Sequence, residues 1–180
     1  NKIRNVKDAL NLLIMAGLVI PVTHTSANGI PLGAEPDYKK RKVLFFDTGL
    51  FLRLLGLDIK KILFEDDFEL INKGHLAELF TGLELLKAYS GYSRNELYYW
   101  KRENKSSNAE VDYLVQKNDK IIPLEVKSSK KGSMKSLNLL MEEKKMNLGV
   151  RFSLENYSSY NKIKVYPLYA IPEFIDRDFT

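Results

Sequence analysis

The N-terminal part of the chain changes from helical spacing of its apolar residues to the alternation typical of strands. Apolar residues recur at helical spacing over 5–17, where Asn5 is the predicted N-cap and Gly17 the C-terminal stop. Strands are predicted over 18–25 and 42–46, separated by a turn-rich loop over 26–37 that contains Gly and Pro. A helix followed by a two-stranded ribbon is typical of the closing half of a winged helix. Such a unit either reads DNA or packs domains together, and the few basic residues at this loop tip favour packing.

The remainder of the chain predicts a second, larger unit in which helices and strands are mixed. The predicted elements are helices over 47–55, 73–89 and 133–146 and strands over 96–102, 111–115, 121–128, 149–154 and 163–169. An apolar stripe is expected on the helix over 73–89, formed by Leu76, Leu79, Phe80, Leu83 and Leu86. Glu78 lies away from that stripe beside other apolar residues, so the helix is predicted to be sandwiched, with Glu78 near a sheet.

The most informative segment is a β-hairpin whose register can be worked out from the sequence. Its two strands alternate apolar and polar residues, and Asn118 and Asp119 suit a two-residue turn. A turn centred there sets Asp112 opposite Glu125 and residue 110 opposite residue 127, all on one face. The other face is predicted to be the core and carries Val111, Tyr113, Val115, Leu124 and Val126.

Two opposed carboxylates repel each other, and a divalent cation between them would remove that penalty. Mg²⁺ prefers carboxylate oxygens and keeps several waters, which leaves room for a phosphate. Lys127 points to the same side as Glu125 and could stabilise charge on that phosphate. Glu78 is the candidate third carboxylate, the alternative being an ordinary exposed helical glutamate. The alternative for the hairpin is a solvated sheet face with a Glu110–Lys127 surface ion pair.

Composition narrows the classes of function without selecting one. The chain has 180 residues, no cysteine, two histidines and a formal net charge of +5. Disulfides, thiolate metal sites and cysteine nucleophiles are excluded, and a reducing, cytoplasmic compartment is expected. No stretch reaches the roughly 20 apolar residues of a membrane span. Four lysines near the hairpin are predicted nucleic-acid contacts, the alternative being a solvated loop and helix start: Lys127, Lys130, Lys131 and Lys135.

The sequence indicates three parts and an incomplete chain. A winged-helix-like segment is predicted over 1–56, a connector over 57–72 and a mixed α/β domain over 73–180. Asn1 is not an initiator methionine and a helix begins almost at once, so we expect a fragment of a longer protein.

The order of elements and acids resembles that of a known superfamily. Glu78, Asp112 and Glu125-x-Lys127 occupy the places of the PD-(D/E)xK signature of the restriction-endonuclease-like superfamily, with Val111 where proline stands in that signature. The resemblance implies a mixed sheet flanked by helices, with a partial winged-helix-like segment before it. It also implies that Asp112, Glu125, Glu78 and the carbonyl of Val126 bind Mg²⁺ or Mn²⁺, and that Lys127 assists attack of water on phosphate.

Five blocks of the sequence, three of which contain these acids, are similar to a domain of unknown function at the C-terminus of prokaryotic, archaeal-type AAA+ ATPases. The blocks are Phe45–Leu50, Lys73–Glu78, Leu97–Lys101, Ala109–Tyr113 and Ile122–Ser129. This likeness implies an attached N-terminal ATPase domain that binds ATP, since the chain itself has no Gly-x-x-x-x-Gly-Lys-Ser/Thr loop. The expected function is a Mg-dependent nuclease-like domain with DNA as a partner. The alternatives are a non-catalytic DNA- or protein-binding module for that ATPase and a domain that mediates oligomer contacts.

Overall fold

The computed structural model describes residues 2–56, 73–88, 96–102 and 108–176. The predicted connector over 57–72 and most of the predicted polar loop over 103–108 lie outside the described residues. So do Tyr89, at the predicted end of its helix, and the last four residues of the chain.

The described residues form helices on either side of a set of strands. The helices are α1 (Lys2–Met15), α2 (Thr48–Leu54), α3 (Lys73–Lys87), α4 (Lys135–Glu143) and α5 (Ile171–Asp176). The strands are β1 (Val19–Thr25), β2 (Pro36–Phe45), β3 (Leu97–Lys101), β4 (Glu110–Lys117), β5 (Lys120–Val126), β6 (Gly149–Ser153), β7 (Ser158–Tyr160) and β8 (Ile163–Pro167). Short 3-10 turns occupy Leu32–Ala34 and Leu168–Ala170.

The predicted elements are confirmed in kind, with three differences. Helix α1 already includes Lys2, so Asn5 is not its N-cap. Strand β2 begins at Pro36, six residues before the predicted start at Lys42, because its first residues pair with the end of β1. Strand β7 and helix α5 were not predicted; both are short and follow the periodic part of the sequence.

All eight strands belong to one mixed sheet in the order β2-β1-β3-β4-β5-β6-β8-β7. Strand β1 runs parallel to β3, and β5, β6 and β8 are parallel to one another, whereas the remaining neighbours are antiparallel. The two strands of the predicted winged-helix-like segment therefore extend the sheet that carries the hairpin. The predicted α/β class, a mixed sheet flanked by helices, is confirmed.

Both faces of the sheet are covered, and each has its own hydrophobic core. One core includes Tyr113, Leu124 and Phe152 of the sheet together with Leu85 of α3 and Phe174 of α5. The second includes Trp100, Val111 and Leu114 of the sheet together with Leu137 and Leu140 of α4. Coverage on both sides explains why β6 is buried at all five positions, as expected for a central strand with parallel neighbours.

Helix α3 buries the side that carries Glu78 more completely than its predicted apolar stripe. Within the stripe Leu79 is buried, Leu83 and Leu86 are partly buried against the first core, and Phe80 is 37% exposed. The buried positions include Gly82 and Leu85, which lie on the side of Glu78. A Cβ added to Gly82 would stand 2.6 Å from the Tyr113 hydroxyl and 2.5 Å from a methyl of Leu44. The glycine thus allows close approach of α3 to the sheet, and the prediction that Glu78 lies near the sheet is confirmed.

Candidate functional site

The hairpin forms with the predicted register. Tyr113 pairs with Leu124 and Lys117 with Lys120, and Asn118 in the turn adopts a left-handed backbone with φ of 53°. Continuing this ladder by one step sets Asp112 opposite Glu125. The Oδ2 atom of Asp112 accepts a hydrogen bond of 2.8 Å from the backbone N–H of Val126, so the first carboxylate is held against the second strand.

A β-bulge on β4 changes the faces of the residues that precede Asp112. On the β3 side Tyr98 pairs with Leu114 but Trp100 pairs with Val111, so two steps on β3 match three on β4. Val111 consequently packs in the second core instead of beside Tyr113, which corrects the predicted face.

Glu110 is affected by the same bulge. The predicted Glu110–Lys127 pair was wrong: Glu110 instead lies 3.3 Å from the Nζ of Lys42 and 3.4 Å from that of Lys101. Bulges often re-aim side chains next to functional sites, and this one separates Glu110 from the partner that the simple ladder predicted.

Glu125 is buried inside the protein beside one cation. Only 5% of the residue is exposed, so the alternative of a solvated sheet face is wrong. Its Oε1 atom lies 2.5 Å from the Nζ of Lys127, which is itself about one-third exposed. Its Oε2 atom is buried and has no hydrogen-bond partner among the residues that the structure describes. A buried carboxylate oxygen without a donor destabilises the fold unless a proton, a water or a cation satisfies it.

The pKa values of Asp112 and Glu125 are both raised, because burial disfavours their charged forms more than the nearby cations favour them. Burial raises the pKa of Asp112 to about 7, and the negative charges of Glu125 and Glu78 add to the effect. Lys42 and the Val126 N–H oppose the rise. Burial also raises the pKa of Glu125, although the hydrogen bond and charge of Lys127 partly offset it. The two acids compete for the available protons and cations.

Lys42, which the sequence did not identify as a site residue, connects Glu78 to the backbone of Asp112. The Nζ of Lys42 donates to the Oε1 of Glu78 at 2.6 Å and lies 3.4 Å from the carbonyl oxygen of Asp112. It also stands 4.9 Å from the ring centroid of Tyr99 and 5.7 Å from that of Tyr113. Burial lowers the pKa of Lys42, but Glu78, Asp112 and Glu110 together raise it further, so the side chain stays protonated.

The predicted set of three metal-binding carboxylates is only partly assembled. Asp112, Glu125 and Lys127 come together, whereas Glu78 is paired with Lys42. Within the described ranges, no group of three or more histidine, aspartate or glutamate side chains is arranged to hold a metal ion.

A buried arginine that sequence reasoning missed supports the segment after Lys127. Arg151 on β6 pairs with Glu125 in the parallel ladder and is only 3% exposed. Its Nη2 lies 2.9 Å from the carbonyl oxygen of Lys130 and 3.5 Å from that of Ser129. An isolated arginine in a predicted strand gave no signal of this contact, because it depends on the pairing of β5 with β6. The predicted nucleic-acid lysines Lys130, Lys131 and Lys135 are exposed on this segment and at the start of α4.

Comparison with known proteins gives a family without an assigned activity. The model of a domain of unknown function, DUF4143, matches residues 73–171. No curated protein and no solved structure matches the chain. No helix in the described part of the chain is long and apolar enough to cross a membrane. The matched region covers more than half of the 180 residues and contains the acids and Lys127, but not Lys42. The chain belongs to the DUF4143 family.

Proposed function

We propose that the β4–β5 hairpin carries a divalent-metal-dependent phosphodiester-cleaving site. The observation that carries the proposal is the pairing of half-buried Asp112 with buried Glu125, in which Glu125 Oε2 lacks a donor among the described residues and Oε1 contacts Lys127. A purely structural hairpin gains nothing from two opposed acids of which one is buried and the other only partly exposed to water.

The donor set suits a hard divalent cation such as Mg²⁺ or Mn²⁺. Asp112 and Glu125 would supply carboxylate oxygens and Val126 its carbonyl oxygen, and Glu78 would be a third ligand or a water-positioning group. Such ions accept few protein ligands and keep several waters, so a set of two or three oxygens is sufficient. A bound ion would neutralise charge on a phosphate and lower the pKa of a coordinated water.

The protein residues have separate tasks under this proposal. The Val126 N–H fixes the orientation of the Asp112 carboxylate. Lys127, partly exposed at the mouth of the site, stabilises the charge that develops on the phosphate during water attack. Lys130, Lys131 and Lys135 are exposed next to it and can contact further phosphates of a nucleic-acid strand.

The wider setting rests on the resemblance of the sequence. The order of helix, three strands and helix, with Glu78, Asp112, Glu125 and Lys127 at their places, supports a restriction-endonuclease-like fold. The five similar blocks support a C-terminal position behind an AAA+ ATPase domain, which would bind ATP and couple to this domain in the cytoplasm. DNA is then the expected substrate class.

Metal binding tests the proposal without knowledge of the substrate. Calorimetric titration with Mn²⁺ and Mg²⁺, with and without inorganic phosphate, compares the wild type with Asp112→Asn and the control Asp119→Asn. Asp119 lies exposed in the turn of the same hairpin, so its loss removes a charge but no proposed ligand. Saturable binding that is lost only in Asp112→Asn is expected, followed by DNA cleavage that Glu125→Ala abolishes. Equal binding by all three proteins contradicts the proposal.

A non-catalytic nucleic-acid-binding module is the second candidate. It is favoured by the pairing of Glu78 with Lys42, which occupies the predicted third carboxylate of the site. Its signature is DNA binding that needs no metal and weakens steeply with salt, with a slope that falls when Lys130, Lys131 and Lys135 are replaced by glutamine. DNA binding that requires Mn²⁺ would argue against it.

A further inference from the structure

Lys42 occupies a position between three acidic residues at the edge of the candidate site. Its Nζ lies 2.6 Å from Glu78 Oε1, 3.3 Å from Glu110 Oε1 and 3.4 Å from the carbonyl oxygen of Asp112. The side chain is 22% exposed, so water screens these contacts only in part. Lys42 therefore bridges Glu78 and Glu110, and Glu110 also contacts the Nζ of Lys101.

The surroundings hold the ammonium group in this place. The rings of Tyr99 and Tyr113 both lie within 6 Å of Nζ and offer their faces to the cation. Tyr113 also donates a hydrogen bond of 2.8 Å from its hydroxyl to the carbonyl oxygen of Glu78, which ties α3 to the same cluster. These contacts define one preferred arrangement of Lys42, Glu78 and the ring of Tyr113.

The arrangement makes Lys42 and a metal ion alternatives for Glu78. The positive charge of Lys42 weakens the attraction of Glu78 for a divalent cation, and the same charge beside Asp112 repels the cation. A cavity of about 320 Å³ adjoins Lys42, Glu78 and Glu110, so the lysine side chain has room to move away from Glu78.

We propose that Lys42 is a built-in competitor of the divalent metal, which neutralises Glu78 in the metal-free protein and has to release it when the metal binds. This inference rests on the proposed metal site and concerns its regulation. Lys42 lies on β2, the edge strand of the sheet and outside the family match. Metal binding to the matched domain is thereby coupled to the position of the N-terminal hairpin, which consists of β1 and β2.

Mn²⁺ binding to the full chain, measured by the loss of the free-ion electron paramagnetic resonance signal, tests the inference. Lys42→Met removes the charge and keeps much of the side-chain volume, and we expect its Mn²⁺ dissociation constant to fall by at least about threefold. Lys42→Arg should not share this gain. The matched control is Lys40→Met on the same strand, whose lysine is 47% exposed and pairs with Asp37.

The role of Glu78 is tested in the same assay. In a Glu78→Gln background, Lys42→Met should no longer strengthen Mn²⁺ binding, because the ligand that it releases is absent. The Lys42→Met/Glu78→Gln protein removes both partners of this half-buried pair, so it leaves no unpaired charge, and its Mn²⁺ dissociation constant should equal that of Glu78→Gln.

The outcomes separate this inference from the proposed function. Unchanged or weaker binding in Lys42→Met, with binding lost in Asp112→Asn, overturns the role of Lys42 and leaves the metal site in place. The same gain in Lys40→Met overturns it too, because a general charge effect then explains the result. Absence of Mn²⁺ binding in the wild type and in both lysine variants overturns the metal site and this inference together.

Discussion

The carboxylate pair makes a prediction that needs no substrate: Asp112→Asn should stabilise the protein at neutral and alkaline pH. The pKa of Asp112 is about 7 in the folded chain against an ordinary value of 3.8. The folded state therefore binds more protons than the unfolded state between these values, and the free energy of unfolding falls as pH rises through that window. The difference between the two pKa values sets an upper limit of about 4 kcal/mol on this loss.

The measured effect should be smaller than this limit. Asp112 and Glu125 share the repulsion, so removal of one charge relieves the other, and the surroundings relax around the charged pair. The amide oxygen of the substituted side chain can still accept from the Val126 N–H, so the hydrogen bond to β5 is kept. We expect Asp112→Asn to be about 1–3 kcal/mol more stable than the wild type at pH 8 and about equal to it near pH 4.

Urea unfolding at pH 4, 6 and 8 in the presence of EDTA provides the assay. Asp119→Asn is the control, since Asp119 is exposed and should show no comparable pH-dependent gain. In parallel samples without EDTA, added Mn²⁺ should stabilise the wild type at pH 8 and have little effect on Asp112→Asn. A variant that is equal to or less stable than the wild type at pH 8 refutes the reasoning, because the buried charge would then cost nothing.

Three further substitutions test the packing around the site. Gly82→Ala should lower the free energy of unfolding by about 1–3 kcal/mol in thermal or urea unfolding, because the added Cβ collides with side chains of the sheet. The control is Gly74→Ala on the same helix, whose Cβ meets no described atom within 4 Å and should leave the stability nearly unchanged. Lys117→Met removes two hydrogen bonds to carbonyl oxygens of α5, and faster amide exchange in α5 should report it. Arg151→Met should speed exchange at Ser129 and Lys130 more than in α4, since it loses the contacts to their carbonyls; equal change in both regions would contradict a local role.

The hairpin was predictable because its determinants are local. A turn that accepts a left-handed residue and two strands of period-2 alternation fix the register over a few residues, and Tyr113 pairs with Leu124 as expected. Asp112, Glu125 and Lys127 follow from that register alone. The predicted face was wrong for Val111, the residue before Asp112. The β-bulge there depends on pairing with β3, which the alternation within β4 does not encode.

Contacts between distant segments account for the remaining misses. Lys42 was predicted only as the first residue of a strand, since nothing near it in the sequence shows that it lies within reach of Glu78 on α3, 36 residues away. The sequence did not show which side of α3 is buried more deeply, for a related reason. A glycine that permits close approach, Gly82, marks that face more reliably than the apolar stripe, and the sequence alone does not reveal what approaches it.

These long-range contacts imply that the functional unit is larger than the region the family match covers. The match begins at residue 73, yet Val22 of β1 is fully buried in the same core as Tyr113, and β1 forms the parallel neighbour of β3. Without β1 and β2, β3 would become an exposed edge and Glu78 would lose the cation that neutralises it. A piece limited to residues 73–171 would therefore carry the acids and Lys127 but neither the two strands that extend the sheet beyond β3 nor Lys42. The N-terminal hairpin of β1 and β2 thus contributes to the candidate site in two ways: β1 extends the sheet next to β3, and β2 supplies the positive charge of Lys42.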